Sequence, residues 1–221
     1  MTSTIHELSL GMVNAYLIQG DGVVLVDTGM NSQYDKLIMK IEEYGVSVSD
    51  IKLVLVTHAH SDHFGSAHTL QSKYGIPVAV HESVYVEGEQ LKEQKAVPNG
   101  FLPKLLSKLF GNTKVESFIP DISLKDEDRL EDYGVSAKVI HTPGHTKDSL
   151  CILTDDHEMI VGDMMNSSHK HGVREPMFLE DRDAFLKSIK KIISYNPSKL
   201  FCSHSHVIDA EGIEKLRGWI G

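Results

Sequence analysis

The apolar run Ile51-Lys52-Leu53-Val54-Leu55-Val56 leads straight into Thr57-His58-Ala59-His60-Ser61-Asp62-His63, and this junction constrains the chain more than any other stretch. The run has the length and residue types of a buried strand, and the polar stretch after it cannot continue that strand. A strand therefore ends where three imidazoles and a carboxylate begin. Regular strand or helix would scatter these side chains, whereas a turn with irregular dihedrals can aim residues two apart at one point. His58 and His60 are expected to share one ion, with Asp62 and His63, at the start of the next helix, reaching a second ion beside it. Nitrogen and carboxylate oxygen suit Zn, Mn or Fe, and the stretch offers no thiolate to select a softer metal. The chain holds 13 histidines in 221 residues, and at that frequency H-x-H-x-D-H arises by chance in roughly three chains per thousand.

The same device, an apolar run releasing a polar residue at its tip, recurs along the chain. Val23-Val24-Leu25-Val26 ends in Asp27-Thr28-Gly29. Asp27 is expected to orient a ligand imidazole or its loop, the alternative being an ordinary turn begun with Thr28 and Gly29. Val139-Ile140-His141 is followed by Thr142-Pro143-Gly144, a tight turn that can present His145 at a strand end, while His141 itself is expected to pack in the structure. Met159-Ile160-Val161-Gly162 releases Asp163, whose carboxylate could place one oxygen near each of two ions. The matching tips at Asp27 and Asp163 raise the idea of two related halves. Leu200-Phe201-Cys202 is followed by Ser203-His204-Ser205-His206, where either histidine could complete the second ion; His204 leaves the strand sooner and is preferred. His169 and His171 border the expected pocket as candidate substrate contacts, and His68 is expected to be structural or exposed.

The remaining pattern is that of one domain over residues 1–221. Strands at 4–9, 13–19 and 22–27 form a meander, a helix spans 32–44, and strand 52–57, helix 63–74 and strand 77–80 make a βαβ unit. A helical insertion is expected at about 82–120, with one piece over 82–94. Its apolar and basic segment 98–110 would either cap the pocket or pack, in the latter case offering a homodimer surface. Short strands follow up to 141, then a hairpin of 149–154 and 157–162, a helix at 181–194, a strand at 199–202 and a helix at 210–219. A net charge of −9 argues against an extended nucleic-acid surface. With no basic-then-apolar leader and no run long enough to span a bilayer, a cytoplasmic location is expected. Cys151 and Cys202 lie in apolar runs and read as buried small hydrophobes rather than a disulfide.

Taken in order, Val-Asp-Thr-Gly at 26–29, H-x-H-x-D-H at 58–63, His-Thr-Pro-Gly-His-Thr at 141–146, Asp163 after Val-Gly, and His204 near the end resemble the metallo-β-lactamase superfamily. The resemblance covers nearly the whole chain. It implies an α+β fold, a four-layer αβ/βα sandwich of two mixed sheets with helices on the outer faces and metals at one edge. It also implies two divalent metal ions, Zn favoured and Mn or Fe the alternatives. His58, His60 and His145 would hold the first, Asp62, His63 and His204 the second, and Asp163 would bridge them. Ser203-His204-Ser205 departs from the Gly-His-Gly of many members, and His60 stands where the flavin-linked diiron reductases of this fold have a glutamate, which speaks against that redox branch.

Two divalent ions, two carboxylates and a bridging hydroxide leave a formal charge of about +1, which attracts an anionic transition state. The implied activity is hydrolysis of a small ester-like substrate, anionic or carbonyl-containing, by a metal-bridging hydroxide that Asp62 could orient as a catalytic residue. Thioester hydrolysis of the glyoxalase II type stands first, because His-Thr-Pro-Gly-His-Thr followed by a strand resembles that branch. Lactone hydrolysis comes next, then phosphodiester and β-lactam cleavage. A mononuclear iron sulfur dioxygenase and a non-catalytic metal-binding protein are the readings from other classes.

Overall fold

A computed structural model of the chain describes residues 2–100, 103–104, 116–168 and 172–220. Strands β1 (Thr4–Ser9), β2 (Asn14–Gln19) and β3 (Val23–Val26) form the expected antiparallel meander. Next to β3 lie β4 (Ile51–Leu55), β5 (Val78–His81) and β6 (Ile122–Leu124), all parallel to it, so the first sheet is mixed. The second sheet has the order β12-β9-β8-β7, from β7 (Ala137–His141), β8 (Leu150–Thr154), β9 (Glu158–Gly162) and β12 (Lys199–Cys202). It is mixed as well, with β12 parallel to β9 and the other pairs antiparallel. A two-stranded ribbon, β10 (Asn166–Ser168) with β11 (Gly172–Arg174), stands apart.

The period-two alternation of side chains makes the layers. Leu17, Leu25, Val54 and Val78 face one apolar core with Leu37 and Ile41 of α1 (Tyr34–Glu42) and with Ala67 and Leu70 of α3 (Ala67–Tyr74). Their strand neighbours Tyr16, Ile18, Val24, Val26, Leu53 and Leu55 turn the other way and meet Val139, Ile152, Ile160 and Phe201 between the sheets. On the far side, Ile140, Cys151, Met159, Val161 and Cys202 pack on α4 (Arg182–Ser194) and α5 (Ala210–Arg217). Three stacked cores thus separate four layers, the αβ/βα sandwich implied by the resemblance. In α4 the buried Phe185, Ile189, Ile192 and Ile193 recur at helical spacing, and Asp181 caps the start by accepting from Asp183 N and Ala184 N at 2.9 and 3.0 Å.

Two expectations need correction. The segment 82–94 is not helical but runs as turns and extended chain. Its backbone is spent on distant partners, Leu91 N on Phe118 O and Gln94 N on Ala59 O, which an internal helix ladder would forbid. The helix expected at 63–74 is two pieces, α2 (Ser61–Phe64) and α3, parted at Gly65. A Cβ on Gly65 would lie 2.5 Å from Asn31 N and 2.7 Å from Gly29 O, so the close approach of the Gly29 loop leaves room only for glycine there. Most of 98–110 lies outside the described residues, as do His169 and His171; of the rest, Pro98 and Asn99 pair with Phe178 and Met177. No described helix is long and apolar enough to cross a membrane.

Candidate metal centre

Strands β3, β4 and β5 run parallel, and β7, β9 and β12 share one direction in the facing sheet. The ends of β3, β4, β7, β9 and β12 release Asp27, His58, His145, Asp163 and His204, which the fold gathers at one edge between the sheets. Close contacts among these residues tie the edge together, from Asp27 and His63 through His58 and His145 to Asp163 and His204. Gly144 shapes the turn before His145: its φ of +145° is one that side-chain-bearing residues avoid, and a Cβ there would sit 2.5 Å from Phe185 Cα.

Three buried imidazoles meet first. His58 Nε2 and His60 Nδ1 are 3.0 Å apart, and His145 Nε2 is 3.1 Å from each. The surroundings set two of the tautomers. Thr57 Oγ1 donates its proton to Asp27 Oδ2 at 2.8 Å, so at 3.1 Å it accepts from His58 Nδ1 and leaves a lone pair on His58 Nε2. His145 Nδ1 donates to Phe178 O at 2.8 Å, leaving a lone pair on His145 Nε2. Two lone pairs at 3.1 Å repel. A proton on His60 Nδ1 could satisfy one of them well, whereas a cation satisfies all three nitrogens, and the buried His60 Nε2 has no partner either. Burial, reinforced by the neighbouring imidazoles, holds His58 well below the usual histidine range and His60 down to about 3, and burial also lowers His145. Three uncharged nitrogens converging in a dry corner fit a divalent ion of the Zn, Mn or Fe type.

The adjoining cluster is charged. His63 Nε2 lies 3.4 Å from Asp163 Oδ1 and 3.8 Å from Asp62 Oδ1, while His204 Nε2 lies 3.2 Å from Asp163 Oδ2 and 3.3 Å from Asp62 Oδ2. Burial alone would neutralise both rings, but the carboxylates of Asp163, Asp27 and Asp62 raise His63 well above its ordinary range, and Asp163 and Asp62 raise His204 to about 10. Burial likewise pushes both acids up, and the rings win: His204 and His63 hold Asp163 well down, and His63 with His204 brings Asp62 to about 2. Asp163 also sits 3.6 Å from His145 Nε2 through Oδ2, so its carboxylate touches both groups. The second cluster is the more open one, with the His204 side chain 29% exposed against 2% for that of His145.

Asp27 sits behind both clusters, fully buried and at a positive φ of 61°. It accepts from Thr57 N and Thr57 Oγ1 at 2.8 Å each and from His63 Nδ1 at 2.7 Å. One carboxylate therefore steers His63 directly and His58 through Thr57. His206 is carried away from the centre: its carbonyl accepts from Ser167 Oγ at 2.6 Å, and it lowers the carboxyl of Glu7, which burial raises. His141 stacks on His81 at 3.8 Å, and His68 pairs with Glu116 at the surface. Nothing in the sequence singles out Asp148, yet its buried carboxyl accepts from Ala59 N at 2.8 Å, between His58 and His60, and so links that turn to the His145 loop. Its spacing of three residues after His145 is the one available signal. The carbonyls of Phe178 and Met12, which accept from His145 Nδ1 and His204 Nδ1, carry no sequence signal.

Comparison with known proteins agrees with this geometry. The family model for the metallo-beta-lactamase superfamily matches residues 8–204. A probable metallo-hydrolase of Methanocaldococcus jannaschii is 31% identical over 152 residues, covering 68% of this chain and 66% of that one. A Haemophilus influenzae hydroxyacylglutathione hydrolase is 29% identical over 137 residues, covering 60% and 57%. This chain thus spans less than two thirds of the length of these curated relatives. The solved structure of a metallo-beta-lactamase family protein from Thermus thermophilus superposes with a TM-score of 0.68 at 22% identity, over 98% of this chain and 78% of that one. With the profile spanning most of the sequence and the motif residues meeting at one sheet edge, the chain belongs to the metallo-β-lactamase superfamily.

Proposed function

We propose that the protein is a dinuclear metal-dependent hydrolase of a small ester-like substrate, a thioester first among them. The observation that carries this is the convergence of His58 Nε2, His60 Nδ1 and His145 Nε2 at 3.0–3.1 Å without the protons to reconcile them. Those three would hold one ion and Asp62, His63 and His204 the other, with Asp163, close to residues of both groups, as the candidate carboxylate shared between them; Zn is favoured, and Mn or Fe suits the same donors. Divalent ions in such a site supply Lewis acidity and bring the pKa of water toward about 7. The chain's own residues supply the rest. Asp62 stays ionised and is open to solvent on one side, so it accepts a hydrogen bond from an incoming water and orients it. Thr57, held by Asp27, and Phe178 O fix the tautomers of His58 and His145 so that their lone pairs face inward, and Asp27 accepts the Nδ1 proton of His63 so that its Nε2 is the nitrogen turned to the site.

The hydroxyacylglutathione hydrolase relative supports a thioester, and the complete set of Asp62, His63 and His204 favours hydrolysis over a mononuclear iron oxygenase. The test is metal analysis of protein purified without chelator, paired with turnover of thioester, lactone, phosphodiester and β-lactam substrates. Two ions per chain and oxygen-independent thioester cleavage are expected. One iron with oxygen uptake on a sulfur substrate would overturn the hydrolase, and a faster lactone or phosphodiester would replace the thioester.

A further inference from the structure

The last candidate ligand sits on the most open of the strand-end turns. His204 leaves β12 after a single intervening residue, in a turn exposed on one side. Its own half of the molecule gives it Gly162 O, which accepts from Ser203 N at 3.1 Å, and Ser167 N, which donates to Ser205 Oγ at 2.8 Å; further bonds come from the opposite sheet. Tyr16 Oη donates to Cys202 O at 2.6 Å. Asn14 Nδ2 reaches Cys202 O at 3.3 Å and Ser205 O at 3.4 Å, and Asn14 N donates to Ser203 O at 2.7 Å. Met12 O accepts from His204 Nδ1 at 2.6 Å. Asn14 and Tyr16 are spaced by two on β2, so their side chains share one face toward the turn from Cys202 to Ser205, and Met12, just before the strand, adds its backbone carbonyl.

The chemistry of this row is specific. Tyr16 is wholly buried between the sheets, where a phenol hydroxyl is costly unless it has an acceptor, and the Cys202 carbonyl is that acceptor. Asn14 is also buried and spends its amide on two carbonyls that flank His204. Neither side chain has a contact to His58, His60 or His145 among the hydrogen bonds of the described residues. We propose that Asn14 and Tyr16 are positioning residues for His204. They fix the 202–205 turn so that His204 Nε2 stays beside Asp62 and Asp163, and so set the affinity of the second ion independently of the first. This rests on the reading that Asp62, His63 and His204 hold a second ion.

The experiment is titration of metal-stripped protein with Zn²⁺ alone, reading both equivalents by calorimetry and chelator competition. It compares the parent with Tyr16→Phe, Asn14→Ala and His204→Ala. Tyr16→Phe keeps the ring in the core and removes only the donor, so it remains informative should Asn14→Ala fold poorly. The expected result for both clamp variants is a second equivalent weakened about 10- to 100-fold, the usual scale for groups that orient a ligand, with the first equivalent within about twofold of the parent. A general structural defect would weaken both equivalents together, and that outcome overturns the proposal. So does a second equivalent unchanged in both variants while His204→Ala abolishes it. If His204→Ala itself retains both equivalents, the two-ion reading fails and the proposal falls with it.

Discussion

His58, His60 and His145 meet as uncharged rings in a dry corner, whereas Asp62, His63 and His204, a few ångströms away, meet as ion pairs with one side open to solvent. Both groups use side chains of the same kinds from the same sheet edge. In the first, lone pairs face lone pairs, and without a cation the arrangement is repulsive. In the second, protonated rings and carboxylates balance one another's charge, although buried His63 Nε2 and Asp163 Oδ1 make no hydrogen bond, so protons compete with metal for the same atoms. The difference teaches that, on the proposed two-ion reading, the two groups need not fill alike: the first triad would accept an ion as it stands, and the second would have to expel protons to accept one.

The sharpest break is at the first triad. His145→Ala removes a nitrogen that no neighbour replaces, and kcat/KM is expected to fall by about 10³-fold or more, with metal content dropping in parallel; near-parent activity would sink the assignment. Next is Asp27→Asn, which touches both halves. It should lower affinity for both equivalents by about 10- to 100-fold, and weakening of the second alone would show that the path through Thr57 to His58 is idle. Asp148→Ala should act on one half only, weakening the first equivalent by about tenfold with the second unaltered, as read by Zn²⁺ competition. A drop in both would mean that Asp148 supports the whole edge.

The smallest effect is on the metal-free protein, read as urea midpoints against pH. The first triad's folded pKa values lie below the unfolded value, so below about 6.5 the unfolded chain binds more protons and stability falls as the pH drops toward 3. His63 and His204 are raised instead. Their contribution is complete below about 6.5 and is lost as pH rises through about 10. Opposite limbs are expected, and His204→Ala should flatten the alkaline one. His81, held at about 4 by burial and by its neighbour His141, adds to the acid limb from outside both triads, so a His81→Asn background isolates the triad's share.

Much of this was legible in the sequence because strand tips are local. The runs ending at Asp27, His58, Gly162 and Cys202 announced both the strands and the polar residues they release. The four layers were implied by resemblance and then realised through alternation, with Tyr16 and Leu17 on opposite faces of one strand. What local pattern could not disclose was long-range backbone pairing. Gln94 N on Ala59 O and Leu91 N on Phe118 O override the helical look of 82–94. Asn14 and Tyr16 likewise reach backbone groups far away in the chain, for which composition and spacing carry no mark, and Asp148 has only its spacing after His145 to single it out.

His145 Nε2 faces ring nitrogens 87 and 85 residues earlier in the chain, one strand end in each sheet. An ion shared by these residues would close a loop of that length, as a covalent cross-link does. By the chain-entropy estimate for disulfides, closing a loop of this size is worth about 4–5 kcal/mol against the unfolded ensemble. The chain's two cysteines are buried and unpaired. In this fold the proposed metal centre would therefore also serve as the staple between the sheets, and stripping it would loosen the sandwich along that edge.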